Sequence, residues 1–164
     1  QRRERVFFCA VRDDIKVPPL KLAPKHRWIS AGEATEDLQV LTDTEKKNTK
    51  VSNLYAQLWT ATKKGDSFQK ACRLIMGKDN WFTKVRYNDK MPAPTITSCE
   101  TDQAHWNTPR VITYREAKRL GSFPDDYHAK TDKIGKYMIG MSVPPKMTEQ
   151  VARAVISQWL QPTP

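Results

Sequence analysis

Residues 110–125 read Arg110-Val-Ile-Thr-Tyr-Arg-Glu-Ala-Lys-Arg-Leu-Gly-Ser-Phe-Pro-Asp125. Inside this stretch Thr113-Tyr-Arg-Glu116 has the form of a capping box. A hydroxyl at the N-cap accepts from the amide three residues on, and the glutamate there reaches back to the cap's own amide. Gly121 sits where such a helix would stop. The pattern predicts a two-turn helix over 114–120, followed by a packing turn at Phe123-Pro124. Arg110, Arg115 and Arg119 are placed to hold this helix to another part of the chain through ion pairs.

Towards the C-terminus, a polar loop is expected over 124–135. Tyr137-Met-Ile-Gly-Met-Ser-Val-Pro-Pro145 then leads into a last helix. Proline suits a helix start, where its missing N–H costs nothing. Val151, Val155, Ile156, Trp159 and Leu160 would form its apolar face. At the other end, Gln1-Arg-Arg-Glu-Arg5 enters the apolar run Val6–Val11 and Arg12. That run reads as a strand buried on both faces, ended by Asp13-Asp14. Alternate strand residues share a face, so Gln1, Arg3 and Arg5 would act together.

Between these ends, residues 16–28 carry Pro18, Pro19 and Pro24 and read as an extended linker. Ser30-Ala-Gly-Glu33 forms a second capping pattern, with a short helix to about Leu41. Residues 42–50 are polar and lysine-rich and read as a loop. Helices are expected over Ser52–Lys64, stopped by Gly65, and over Ser67–Met76, stopped by Gly77. Trp81–Tyr87 alternates as a strand, Asn88-Asp89-Lys90 is a turn, and Pro94–Ser98 is extended.

The chain has 28 Lys and Arg against 18 Asp and Glu, a formal charge of +10. So basic a balance suits a polyanionic partner, because a lysine or arginine placed on a phosphate releases a condensed counterion. Cys9, Cys72 and Cys99 are odd in number and widely spaced, which excludes a disulfide framework and a cysteine-based zinc site. His26, His105 and His128 have no metal-ligand spacing and receive no role. A reducing, cytoplasmic setting is expected. No apolar run approaches the ~20 residues of a membrane span. The first residue is Gln1 and not Met, so a fragment, a trimmed product or a split subunit is expected.

Three clusters, residues 1–12, 110–125 and 137–145, together resemble the last three motifs of cytosine-5 DNA methyltransferases, in that family's order. The family pattern is Gln-x-Arg-x-Arg entering a strand, then Arg-x-Leu-Thr-x-Arg-Glu-x-x-Arg-Leu-x-x-Phe-Pro-Asp, then Gly-Asn-x-Val-Pro-Pro. The resemblance is close over 1–15 and 94–160. Residues 16–93 lie where the family keeps its variable target-recognition domain. One departure stands out: Met141 replaces the usual Asn and cannot donate that amide hydrogen bond.

The family's reaction begins by flipping a cytosine out of the duplex. A cysteine thiolate attacks carbon 6, a methyl arrives from S-adenosylmethionine, and a base removes the carbon-5 proton. The resemblance implies that Arg5 is the cation at the cytosine carbonyl. It implies that Arg3 supports Arg5 through the nucleotide's phosphate or nearby carboxylates. Gly140, Ser142 and Val143 would touch the cofactor, since a helix start offers free N–H groups and glycine allows close approach. Arg110, Thr113, Arg115, Glu116 and Arg119 would organise the recognition domain. Gln1, Lys46, Lys47, Lys50, Lys63 and Lys64 are candidates for double-stranded DNA, the lysines on phosphates. No metal is implied.

The family nucleophile follows a proline, but Cys9 follows Phe8, Cys72 follows Ala71 and Cys99 follows Ser98. Cys9 reads as a small core residue of the strand. The expected partner is therefore an N-terminal catalytic half, without which the chain would be inactive, expose apolar surface and tend to self-associate. The expected fold is mixed α+β. It comprises a small target-recognition domain over 16–109, a strand of the catalytic domain over 1–15, and C-terminal motifs and a helix over 110–164 that return to a Rossmann-like catalytic domain. The rival readings are a non-catalytic DNA-binding module and the recognition subunit of a split methyltransferase.

Overall fold

The computed structural model describes residues 1–23 and 27–160. Pro24 and His26 of the expected linker lie outside them. The described chain is mixed: helices surround one small parallel sheet. Strand β1 (Val85–Arg86) pairs with β2 (Gln103–Ala104), with Val85 opposite Gln103 and Arg86 opposite Ala104. Single antiparallel bridges extend this ladder to Ser67 and Val111. No described helix is long and apolar enough to cross a membrane.

Two apolar clusters flank the sheet. The first joins Tyr87, Ile96, Trp106, Ile112, Leu120 and Ile139, drawn from the expected recognition stretch and from the C-terminal motifs alike. The second joins Tyr55, Leu58, Trp59, Phe68, Cys72 and Val111. Its helices are α3 (Asn53–Ala61), capped by Ser52, and α4 (Gln69–Met76). Gly77 ends α4 at φ +65°, a left-handed turn that a side chain would strain. Both helices lie where the sequence places them.

Helix α1 (Ala31–Ala34) is a single turn, continued by a 3-10 turn at Glu36–Leu38 and ending short of Leu41. Ser30 caps it as expected, but Glu33 does not close the box, because its carboxylate binds Arg27 instead. Residues 42–50, read as a loop, hold helix α2 (Asp43–Asn48), with a complete capping box of Thr42 and Glu45. Only the last part of Trp81–Tyr87 is paired, and Trp81 itself is left-handed at φ +61°.

Helix α5 (Tyr114–Leu120) carries the expected box of Thr113 and Glu116. The loop expected over 124–135 ends early, because α6 (Asp132–Met141) starts there under a Thr131 cap. Gly135 and Gly140 are both buried in α6. A Cβ on Gly140 would overlap the main chain of Thr97 and Ser98, so glycine is what lets the segment before Ser98 lie against this helix. Helix α7 (Pro145–Val155) starts at proline as expected, and a π turn over Ile156–Leu160 follows it.

The apolar run 5–12 is not a strand. It pairs with no strand among the described residues, and Phe8 is 96% exposed. Cys9, expected in a core, is exposed with it. A strand needs another strand for its main-chain groups, and among the described residues this run has instead Val151 of α7 and Trp159 of the π turn beside Phe7 and Cys9. The proline-rich segment after it is pinned to the C-terminal π turn. Trp159 Nε1 donates to Pro18 O at 2.8 Å, and the Gln158 side-chain amide pairs with both main-chain groups of Lys21.

Candidate functional site

The first and third sequence clusters meet through one side chain. Arg3 is buried, 8% exposed, and donates Nη1 to Ile96 O and Nη2 to Gly140 O, each at 2.9 Å. Residue 2 is laced to the same segment: its amide donates to Ala93 O at 2.7 Å, and its carbonyl accepts from Thr95 Oγ1 at 2.9 Å. Burial, and then the neighbouring charge of Arg5, pull the Arg3 pKa below its usual value, yet a guanidinium stays protonated. Among the described residues the partners of Arg3 are these two main-chain carbonyls and no carboxylate.

Arg5 is the opposite case. It is exposed, and its side chain donates only to the adjacent Glu4 carbonyl, at 2.6 Å. It is a cation without a carboxylate partner among the described residues, available to a ligand. Gln1 is half-buried, and its side-chain Oε1 has no hydrogen-bond partner.

The expected cofactor residues fall on two elements. Gly140 lies inside α6, packed on Thr97 and Ser98, and faces protein rather than a ligand. Ser142 and Val143 form the turn between α6 and α7, and both are half-buried. The Ser142 hydroxyl is committed to Met138 O at 2.6 Å, and its amide to Ile139 O. The Val143 amide has no main-chain partner among the described residues. The turn therefore offers one free N–H and one apolar side chain. Met141, at the family's Asn position, is exposed. The turn is fixed from a distance: Ser122, left-handed at φ +60°, accepts the Lys146 amide on its hydroxyl and so caps α7 in trans.

The arginines of the second cluster act as fasteners. Arg110 grips Glu116 with two bonds, at 2.8 and 2.7 Å. Arg115 grips Glu45 of α2, and Arg119 bridges Asp37 and Asp125. Two of the three thus reach from α5 into the expected recognition stretch. Burial alone would raise the Glu116 carboxyl, but Arg110 and the Thr113 amide hold it below the usual range.

His105, given no role by the sequence, completes this cluster. Its Nδ1 accepts from the amides of Asn107 and Thr108, so the ring proton belongs on Nε2, which faces Glu116 at 3.6 Å. Burial, and then Arg110, push its pKa down to about 4. The signal in the sequence is the Asn107-Thr-Pro109 turn just after it, the kind of turn a side-chain acceptor caps.

Two of the six DNA candidates share a groove. Lys46 and Lys50 border a shallow groove with Thr49, Val51 and Pro109. Lys47 and Lys63 are exposed. Lys46 also pairs with Asp43. Lys64 is held by Asp89 at 2.8 Å and Asn107 at 2.7 Å. Among the described residues no group of His, Cys, Asp and Glu gathers as a metal site.

A family model for C-5 cytosine-specific DNA methylase matches residues 1–157. The chain is 31% identical to the type II methyltransferase M.BbvI of Brevibacillus brevis over 170 residues, covering 95% of this chain and 45% of that protein. It is 33% identical over 73 residues to type II methyltransferase M1.HphI of Haemophilus parahaemolyticus, covering 44% of this chain and 20% of that protein. A further type II methyltransferase, M.Bpa9945I of Bacillus paralicheniformis, is 34% identical over 79 residues, covering 44% of this chain and 18% of that protein. The chain thus spans less than half the length of the curated relatives it matches. With the family model matching nearly the whole chain, three ordered motifs and a fold that brings the first and third together, this chain belongs to the C-5 cytosine-specific DNA methylase family.

Proposed function

We propose that this chain is the C-terminal, target-recognition part of a DNA cytosine-5 methyltransferase, acting on a flipped cytosine in duplex DNA. The observation that carries the reading is the Arg3–Gly140 contact: it joins the expected cytosine-facing segment to the expected cofactor turn across 137 residues. Arg5, exposed two residues beyond Arg3, is the cation placed at the cytosine carbonyl. Charge builds at that oxygen as the ring is attacked, so a fixed guanidinium stabilises the transition state more than the ground state. Arg3 supports it from behind. Val143, through its free amide and side chain, borders the cofactor, while Ser142 shapes the turn and Gly140 its base. S-adenosylmethionine, when bound, supplies the methyl.

No cysteine in the sequence follows a proline, so the attacking thiolate is assigned to a catalytic half outside this chain. By this reading residues 1–15 and α7 belong to the Rossmann-like catalytic domain, and the chain alone is inactive. The exposed Val6, Phe8 and Leu160 support a face that the catalytic half covers, and through which the isolated chain self-associates. Gln1, Lys46, Lys47, Lys50 and Lys63 are the DNA contacts, and the setting is cytoplasmic.

The test is to combine the chain with the remainder of its enzyme, labelled S-adenosylmethionine and duplex DNA. Label at carbon 5 of cytosine is the expected result. Salt-sensitive DNA binding without any label would instead establish a non-catalytic DNA-binding module.

A further inference from the structure

Arg3 is a buried cation with no carboxylate among its partners. Each of its Nη groups donates to one main-chain carbonyl, and its Nε is buried without a partner. One of those carbonyls has a special position. Gly140 is in the last turn of α6, where carbonyls lack an acceptor role inside the helix and carry the negative end of its dipole. A guanidinium there meets an oxygen that otherwise needs water. The other carbonyl, Ile96 O, belongs to the segment that Gly140 touches with its bare α-carbon. Residues 2–3, residues 93–98 and the end of α6 therefore form one joint.

Two short tethers leave this joint. Arg5 follows Arg3 by two residues, and Ser142 follows Gly140 by two. Two residues of chain reach at most about 7 Å. The exposed cation and the α6–α7 turn are thus both hung from a single fastening. The Arg3 side chain is buried in this joint, so to meet a nucleotide directly it would have to swing out from between Ile96 O and Gly140 O and leave both acceptors unpaired.

We infer that Arg3 is a positioning residue that sets the α6–α7 turn against the Arg5 segment, and does not itself touch the cytosine or its phosphate. The inference rests on the reading of Arg5 and of the turn given above. A residue acting in this way controls cofactor affinity as well as rate, because it shapes the turn before DNA arrives.

The experiment uses the complete enzyme and the variants Arg3→Met, Arg3→Lys and Arg5→Ala. Equilibrium binding of S-adenosylmethionine without DNA is measured beside duplex-DNA affinity and single-turnover methyl transfer. Arg3→Met is expected to weaken cofactor binding by about tenfold or more, as a misplacement of this kind does, with DNA affinity held within about twofold. Arg3→Lys, which retains a cation able to hold one carbonyl, is expected to fall between Arg3→Met and wild type. Arg5→Ala should leave cofactor binding alone and lower only the rate. The inference is overturned if Arg3→Met and Arg3→Lys both bind the cofactor as wild type does, whether their rate or their thermal stability is reduced. Should Arg3→Met fail to fold, the cofactor affinity of Arg3→Lys decides by the same criterion. A wild-type enzyme that binds no S-adenosylmethionine would overturn the functional reading instead.

Discussion

Arg115 holds Glu45 with two donors on one edge of its guanidinium, Nε at 2.7 Å and Nη2 at 2.8 Å, across 70 residues of sequence. Glu45 is buried, and its carboxylate also closes the cap of α2 by accepting the Thr42 amide at 2.9 Å. Burial by itself would raise its pKa, but the bonds from Arg115 and Thr42 hold it below the usual carboxylate range. Removing Arg115 leaves a buried charge with only its cap. The Arg115 side chain is 40% exposed, so the penalty is discounted from that of a fully buried pair. Arg115→Ala should cost about 2 kcal/mol. The double variant with Glu45→Gln should recover part of that loss. Urea unfolding of the four proteins measures this, and strictly additive effects would show that the pair is not coupled.

Stability should fall on mild acidification, and His105 gives the reason. Folded, its pKa is about 4, far below the ordinary histidine value of 6.5 that the unfolded chain retains. The unfolded chain therefore takes up a proton first. The stability that neutral His105 contributes is complete above about pH 6.5 and is lost as pH falls from there towards 4, by about 3 kcal/mol over the whole window. The charges around it are Arg110, Glu116, Lys64 and Asp89. Glu116 also has a depressed pKa, so its loss adds only below the ordinary carboxylate range. His105→Gln should flatten the decline between about pH 6.5 and 4.5, at some cost at neutral pH. Unfolding curves across that range decide, and an equally steep decline in the variant would remove His105 as the cause.

Gly140→Ala should destabilise the protein by about 1–3 kcal/mol, because the added methyl meets main chain, which cannot rotate away. The overlap is with the Thr97 carbonyl and the Ser98 amide. Thermal unfolding measures it. A neutral result would mean that the 93–98 segment yields easily, and the joint at Arg3 with it.

What was legible in the sequence was local. Thr113 and Glu116 announce α5 because the cap and its acceptor are three residues apart and a helical pattern follows. Thr42 and Glu45 have the same spacing, but residues 42–50 carry no apolar period, and α2 owes its place to Arg115 far away. From the sequence Gly140 is expected to allow a close approach, but the neighbour at its α-carbon is Thr97, as Tyr114 is at Gly135, and no local pattern records either partner. Alternation put Arg3 and Arg5 on one face. Only folding decides that Arg3 is buried against Ile96 and Gly140 while Arg5 stays open. The run 5–12 has strand composition, but a strand also requires a neighbour, and composition does not supply one.

Arg5→Ala should separate chemistry from stability. The side chain is exposed and bonded only to the Glu4 carbonyl, so folding stability should change by no more than about 0.5 kcal/mol. Methyl transfer by the complete enzyme should fall about a hundredfold or more, the usual loss on removing a transition-state donor. Single-turnover rates and a thermal melt on the same preparation measure both. Retention of the rate within about tenfold would exclude Arg5 from the cytosine carbonyl.

The lysines should divide by what already holds them. Lys46 and Lys50 border the groove beside Pro109, and the Lys46 pair with Asp43 is exposed, so a phosphate can displace it at little cost. Lys64 is held by Asp89 and Asn107, and turning it to a phosphate would abandon both. Replacing Lys46 and Lys50 together by alanine should lower the slope of log affinity against log salt by about 2, one for each phosphate that no longer has a lysine against it. Lys64→Ala should leave that slope nearly unchanged. DNA binding by the complete enzyme, titrated at several salt concentrations, measures all three lysines. If Lys64→Ala lowers the slope and the double variant does not, DNA lies on the Asp89 side of the domain and not over the groove at Pro109.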